Sequence, residues 1–197
     1  MVWLWILLGI ILILLALGLA GFEVACVRRE LPPDELTEDY LRKTSRAKWA
    51  EDFAFSSDWF HAQKPQTLRV MSYDGKMLSA RFLPREGAKG TVLLFHGYRS
   101  SGLLDFGPEL EFLHRQGYNL LLCDQRAHGA SQGRYMTFGV RERYDVLSWV
   151  TYLAQMLGAE HPMFLSGMSM GATTVLLASC FEFPANVRGV IADCGFS

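Results

Sequence analysis

The sequence has no charged residue in its first 22 positions, no histidine after residue 169 and no surplus of charge: 19 Lys+Arg stand against 20 Asp+Glu. Without a positive field nothing gathers a phosphate backbone, so nucleic-acid binding drops out. Cysteine is sparse, and Cys26, Cys123, Cys180 and Cys194 form no C-x-x-C pair and have no histidine at metal-ligand spacing. That argues against a zinc site and a disulfide framework. No motif implies a metal or an organic cofactor. With 7 prolines and 50% hydrophobic residues in 197 positions, the chain is too apolar for disorder and amounts to one domain or less.

What is present begins with WLWILLGIILILLALGLAG. As a helix, at about 1.5 Å per residue, this run reaches roughly 30 Å, the thickness of a bilayer's hydrocarbon core. Trp3 and Trp5 mark one end, and Arg28 and Arg29 follow the other. Residues 1–22 therefore read as a transmembrane anchor in contact with membrane lipid. A cleaved secretory signal is the alternative, because Gly18-Leu19-Ala20 has small residues at signal-peptidase spacing; the run's length and the lack of a preceding Lys or Arg weigh against it. Arg28, Arg29, Arg42, Lys43, Arg46 and Lys48 all follow the helix, which places the soluble part in the cytoplasm. Cleavage of residues 1–20 would place it outside instead.

Residues 23–65 read as a juxtamembrane helical segment, in which Pro32-Pro33 breaks the chain after the anchor and Thr37 is a helix N-cap. Its aromatic residues either pack on the domain or rest on the membrane; packing is favoured, since interfacial helices are more uniformly basic. From Gln66, TLRVMS and MLSARFLP flank Tyr73-Asp74-Gly75-Lys76, a hairpin signal. Short apolar runs at Thr91–Phe95, Asn119–Cys123, Met163–Ser166 and Val187–Ala192 then alternate with helical stretches at Leu103–Gln116, Val140–Leu157 and Met170–Phe181. This is an α/β pattern: a mostly parallel sheet with helices on both faces.

Gly167-Met168-Ser169-Met170-Gly171 fits G-x-S-x-G between a strand and a helix. In a nucleophile elbow the two glycines let strand and helix approach closely, and the serine projects at the helix N-terminus, where N–H groups favour negative charge. The pentapeptide also fits an ordinary turn with Ser169 as an N-cap. His96-Gly97-Tyr98 follows the TVLLF strand, so the Tyr98 N–H, paired with that of Met170, can form an oxyanion hole, with His96 bracing the loop. Asp124-Gln125-Arg126-Ala127-His128-Gly129-Ala130-Ser131 follows NLLLC.

These three motifs, in this order, resemble the α/β-hydrolase superfamily, in particular bacterial membrane-anchored members close to the serine aminopeptidase and monoacylglycerol lipase groups. The D-x-R-G-H-G-x-S loop is matched except that Ala127 stands where Gly is usual, and Ile191–Ser197 is similar to the strand after the nucleophile helix. The resemblance covers residues 66–197. It implies the N-terminal part of an α/β-hydrolase fold lacking the last strands, preceded by the transmembrane helix. It makes Ser169 the nucleophile and gives structural roles to His96, Gly97, Asp124, Arg126, His128, Gly129, Ser131, Gly167 and Gly171. Arg134, Arg141, Glu142 and Arg143 read as a solvated helix entrance. Met168 and Met170 either line an acyl pocket or fill gaps.

The chain order of such a triad is Ser, then Asp or Glu, then His. His61, His96, His114, His128 and His161 all precede Ser169, and Glu182 and Asp193 are the only later acids, Asp193 being the candidate at the end of its strand. Recruiting His96 or His128 as base requires a rearranged pocket. The family places two more strands beyond VRGVIA, so the expectation is the front part of a longer hydrolase whose base lies after residue 197. A short protein completed by another chain is the alternative. The expected function is a membrane-anchored serine hydrolase forming an acyl-enzyme with a carboxylic ester, or with an amide or short peptide. A non-catalytic hydrolase-like binding protein and an acyltransferase stay open.

Overall fold

A strand buried at every position has cover on both faces, and Gly90–Phe95 (β3) is such a strand. The computed structural model describes residues 2–29 and 32–196; Met1 of the expected anchor and Ser197 at the end of the family-like strand lie outside the described residues. β3 sits inside a six-stranded sheet with β1 (Gln66–Met71), β2 (Met77–Leu83), β4 (Tyr118–Cys123), β5 (Met163–Met168) and β6 (Val187–Asp193), in the order β1-β2-β4-β3-β5-β6. Strands β4, β3, β5 and β6 run parallel; β1 and β2 form the antiparallel hairpin that the Asp-Gly step announces, with Met71 opposite Met77. Among the described residues β6 pairs with β5 alone, and its Ile191 is 60% exposed.

The alternation of side chains along β3 and β4 sorts them into two cores. Leu93, Phe95, Leu121 and Cys123 meet Trp149, Val150 and Leu153 of α5 (Glu142–Leu157) and Val175 and Ala178 of α6 (Met170–Ala178). On the other face Val92, Leu94, Leu120 and Leu122 meet Leu103, Phe106 and Leu110 of α4 (Gly102–Arg115). Leu36, α2 (Glu38–Leu41) and α3 (Ala50–Ala62) join this second core through Leu41, Ala50 and Phe60. The segment read as juxtamembrane is thus packed on the domain, although Trp49 and Phe55 stay exposed. Thr37 caps α2 as expected, accepting the Tyr40 N–H.

Three helix ends are displaced by two residues or more from the sequence reading. The N-terminal helix α1 (Val2–Cys26) runs four residues past Phe22, because its last carbonyls find partners on the domain. Helix α6 stops at Ala178, where the chain tightens and the Phe181 N–H bonds Ala178 O at 3.0 Å. Helix α5 starts at Glu142 instead of Val140, and Glu142 is no solvated residue.

Glu142 is 1% exposed and braces the preceding loop. Its carboxylate accepts the Thr137 N–H (2.8 Å), the Thr137 hydroxyl (2.7 Å) and the Gly139 N–H (2.9 Å). Arg143 also departs from the expected solvated entrance, lying over the rings of Tyr144 and Phe181, while Arg134 and Arg141 are exposed. Glu142→Gln puts an amide N–H₂ against donors and is expected to cost about 2 kcal/mol, read as a lower urea midpoint at unchanged slope.

Candidate active site

Strand β5 ends at Met168 and α6 begins at Met170, so Ser169 alone turns the chain. It does so at φ 53° and ψ −112°, a conformation seldom adopted by residues with a side chain. Ordinary serine and threonine caps in the same chain look different. Thr37 (φ −81°, ψ 151°) and Ser101 (φ −140°, ψ 163°) are extended, and their hydroxyls accept the amides of Tyr40 and Leu104. The Ser169 hydroxyl makes no cap bond. Its backbone is pinned on both sides, N–H to Asp193 O at 2.8 Å and C=O to the Thr173 N–H at 3.0 Å.

Close packing sets this turn. A Cβ on Gly167 would run into Gly171 O, and one on Gly171 would run into Phe95 O, with His96 O 2.8 Å away. The loop after β3 lies alongside, since a Cβ on Gly97 would sit 3.3 Å from Ser169 Cβ. Asp105, which the sequence reading missed, holds that loop: it accepts the Gly97 N–H (2.7 Å) and the Ser100 hydroxyl (2.6 Å) and pairs with Arg46 (2.9 Å). An acid in the first turn of α4 was the available signal. Neither the Tyr98 N–H nor the Met170 N–H donates to another protein group among the described residues. Met170 itself is fully buried, a filler, while Met168 is partly buried against the α4 core.

The 124–131 loop satisfies its polar groups partly from within and partly from α5 and the β1–β2 turn. Arg126 binds Asp145 through Nε and Nη2, both at 2.7 Å, and Asp74 at 3.0 Å. Burial works against that charge, but the hydrogen bonds that the guanidinium donates to Asp145 and Asp74 outweigh this and raise its pKa. Asp124 accepts the Ala130 N–H at 2.9 Å, and the Ser131 hydroxyl donates to Asp124 O at 2.6 Å. Ala127 has φ 61°, which accounts for the usual glycine; Ala bears the strain here.

The histidines are committed elsewhere. His96 Nε2 accepts the Gln125 N–H (3.2 Å), so its Nδ1–H donates to Gly97 O (2.8 Å). His128 does the same with the Arg99 N–H (3.1 Å) and Arg126 O (3.0 Å). His61 Nε2 meets Asp34 O, and His114 and His161 bond Pro84 O and Thr91 Oγ1 near the amino edge of the parallel strands. The carboxylate of Asp193 accepts the Cys194 thiol at 3.2 Å, and burial followed by that carboxylate's charge raises the pKa of Glu109. The arrangement therefore joins Ser169, Tyr98 and Met170, and leaves Asp193 without a histidine among the described residues.

Burial, then the neighbouring His96, holds the His128 pKa down to about 3, against an ordinary 6.5. Between those values the unfolded chain takes up a proton that the folded chain refuses, so stability is complete above pH 6.5 and falls toward pH 3. This one group contributes up to about 1.4 kcal/mol per pH unit. Urea unfolding in detergent from pH 7 to pH 5 should show that slope, and His128→Gln, though less stable at pH 7, should lose it.

The family model described as "Serine aminopeptidase, S33" (Hydrolase_4) matches residues 86–195. The chain belongs to that family. Protein YqkD of Bacillus subtilis (strain 168) is 30% identical over 110 residues, 54% of this chain and 35% of the relative. Caffeoylshikimate esterase of Arabidopsis thaliana is 32% identical over 122 residues, 60% of this chain and 37% of the relative. The crystal structure of the Pyrococcus furiosus esterase Pf2001 superposes with a TM-score of 0.59 at 29% identity, over 68% of this chain and 51% of that one. The sheet, its helices and the strand order are thus those of an α/β hydrolase, and the chain spans a third to a half of the relatives it matches.

Proposed function

We propose that the intact protein is a membrane-anchored serine hydrolase of carboxylic esters with Ser169 as nucleophile. The observation that carries this reading is the Ser169 turn: positive φ, no cap bond, and unengaged N–H groups at Tyr98 and Met170 beside it. Ser169 Oγ attacks the ester carbonyl carbon while a base takes its proton, and the two N–H groups receive the oxyanion, each contributing about 2.7–4 kcal/mol to the transition state. Collapse expels the alkoxide oxygen, which takes that proton from the base and leaves as the alcohol. Water then attacks the acyl-enzyme by the same route, releasing the carboxylic acid and restoring Ser169. Two of the relatives are named as esterases, which supports an ester over an amide or peptide.

His96 and His128 have both ring nitrogens engaged, so we place the base beyond residue 197, in the length of the relatives that this chain does not cover. The same portion would pair with the outer edge of β6. In this reading α1 is retained in the bilayer, and the basic residues after it hold the domain in the cytoplasm. A fluorophosphonate probe should label the intact protein on the peptide containing Ser169. Folded, intact protein that resists the probe would exclude the reading, and protease protection in intact cells checks the sidedness.

A further inference from the structure

The C-terminal turn of α1 is wired to the loops around Ser169. Ala25 O accepts the Tyr98 hydroxyl at 2.9 Å, Val24 O accepts the Arg99 guanidinium, and Cys26 O accepts the Met136 N–H at 2.7 Å. Arg28 donates from its backbone to Arg134 O (2.7 Å) and from its guanidinium to Ser131 O (2.8 Å) and Gly129 O (2.6 Å). The carbonyls that a helix end leaves unpaired are thus satisfied by the domain. The first charge after the apolar stretch is Glu23, one residue before Val24. At about 1.5 Å per residue, the end of the apolar stretch and these docking bonds lie within about 5 Å along the helix axis.

Apolar side chains continue from the helix toward the site. Phe22 packs on Tyr135 (centroids 5.3 Å apart), Phe138 stacks on Tyr98 (5.4 Å), and Phe196 meets Phe138 (6.3 Å). Tyr135 and Val140 are 37% and 57% exposed. Arg134 lies over the Tyr135 ring and pairs with Glu23 at the helix end (3.4 Å), and Arg28, Arg29 and Arg141, all exposed, neighbour these residues along the chain. Apolar rings bordered by arginine fit the acyl–headgroup boundary of an anionic membrane. The apolar helix, with no buried residue in its span, is long enough to cross the bilayer on which they would rest.

We infer that the 134–141 rim and the end of α1 form one membrane-contacting face, so that the mouth beside Ser169 opens at the lipid–water boundary and takes esters that reside in the bilayer. The substrate part of this rests on the serine-hydrolase reading above, and the docking part on the retention of α1 in the bilayer. Helix α1 is an orienting element as well as a tether, and Tyr98 is the residue it holds. A lipid ester would reach Ser169 by sliding along the Tyr135–Phe138 rim without crossing water.

The test uses the intact protein in vesicles of phosphatidylcholine and phosphatidylglycerol with brominated acyl chains. An environment-sensitive fluorophore is attached at Val140→Cys or at Glu160→Cys, in a background where Cys26, Cys180 and Cys194 are serine. Residue 160 precedes β5, at the opposite edge of the sheet from Ser169. The expected result is loss of fluorescence at 140 with none at 160. Equal quenching at the two positions, no quenching at 140, or failure of the protein to float with the vesicles would each overturn the inference. Fluorophosphonate labelling of the same samples reports separately on Ser169. If labelling is normal but a dissolved short-chain ester is hydrolysed faster than its long-chain analogue in the vesicle, bilayer access is overturned while the hydrolase reading stands.

Discussion

Ser169→Ala should lower ester turnover by the intact protein by about 10⁴-fold or more, the scale on which loss of a nucleophile is felt. Stability should barely change, because the hydroxyl caps nothing and the residue is only half-buried. Ser169→Gly separates the two effects more sharply. It removes the same hydroxyl but accepts φ 53° without penalty, and strain at such a residue is on the order of 1–3 kcal/mol. Part of that relief is offset by glycine's greater freedom in the unfolded chain, which leaves a gain of about 1 kcal/mol. The expected pattern is therefore an inactive variant that melts higher than the active parent. If Ser169→Gly melts lower, or if either variant keeps its turnover, this turn is not where the chemistry happens.

How much of this was legible depended on how local each feature is. Runs such as TVLLF and NLLLC, the Asp-Gly turn, the Thr37 cap and the G-x-S-x-G pentapeptide encode the conformation of their own backbone, and the sheet, hairpin and Ser169 turn follow from them. Glu142 was misread because an acid at a helix start looks solvated until the loop carrying Thr137 and Gly139 folds over it. The partners of Arg126 lie 19 and 52 residues away at Asp145 and Asp74, a pairing that no spacing rule announces. The reach of α1 to Cys26 had the same origin. Composition ends the apolar run at Phe22, whereas the helix end depends on where Val24, Ala25 and Cys26 find donors, and those donors come from Arg99, Tyr98 and Met136. Ala127 is the intermediate case: the departure from glycine was visible, but its meaning needed the φ of 61°.

Gly171→Ala should be among the most damaging single methyl groups that can be added to this chain. Its Cβ would fall on the Phe95 carbonyl oxygen and within 2.8 Å of His96 O, both of them backbone atoms that no rotamer change can move. Relief requires α6 to back away from the end of β3, opening the core between Val175, Ala178 and Phe95. Overpacking usually costs about 1–3 kcal/mol, and with an unyielding backbone about 4 kcal/mol is expected. The same retreat carries Ser169 and the Met170 N–H away from Tyr98, and a displacement near 1 Å is worth about 100-fold in rate. Gly189→Ala is the matched control: its Cβ would meet nothing closer than Phe164 at 3.7 Å, so its urea midpoint should stay near that of the parent. The decisive comparison is the urea midpoint and fluorophosphonate labelling rate of the two alanine variants side by side. Equal values would mean that α6 is not seated against β3, and the two proposed oxyanion donors would then have no fixed relation to Ser169.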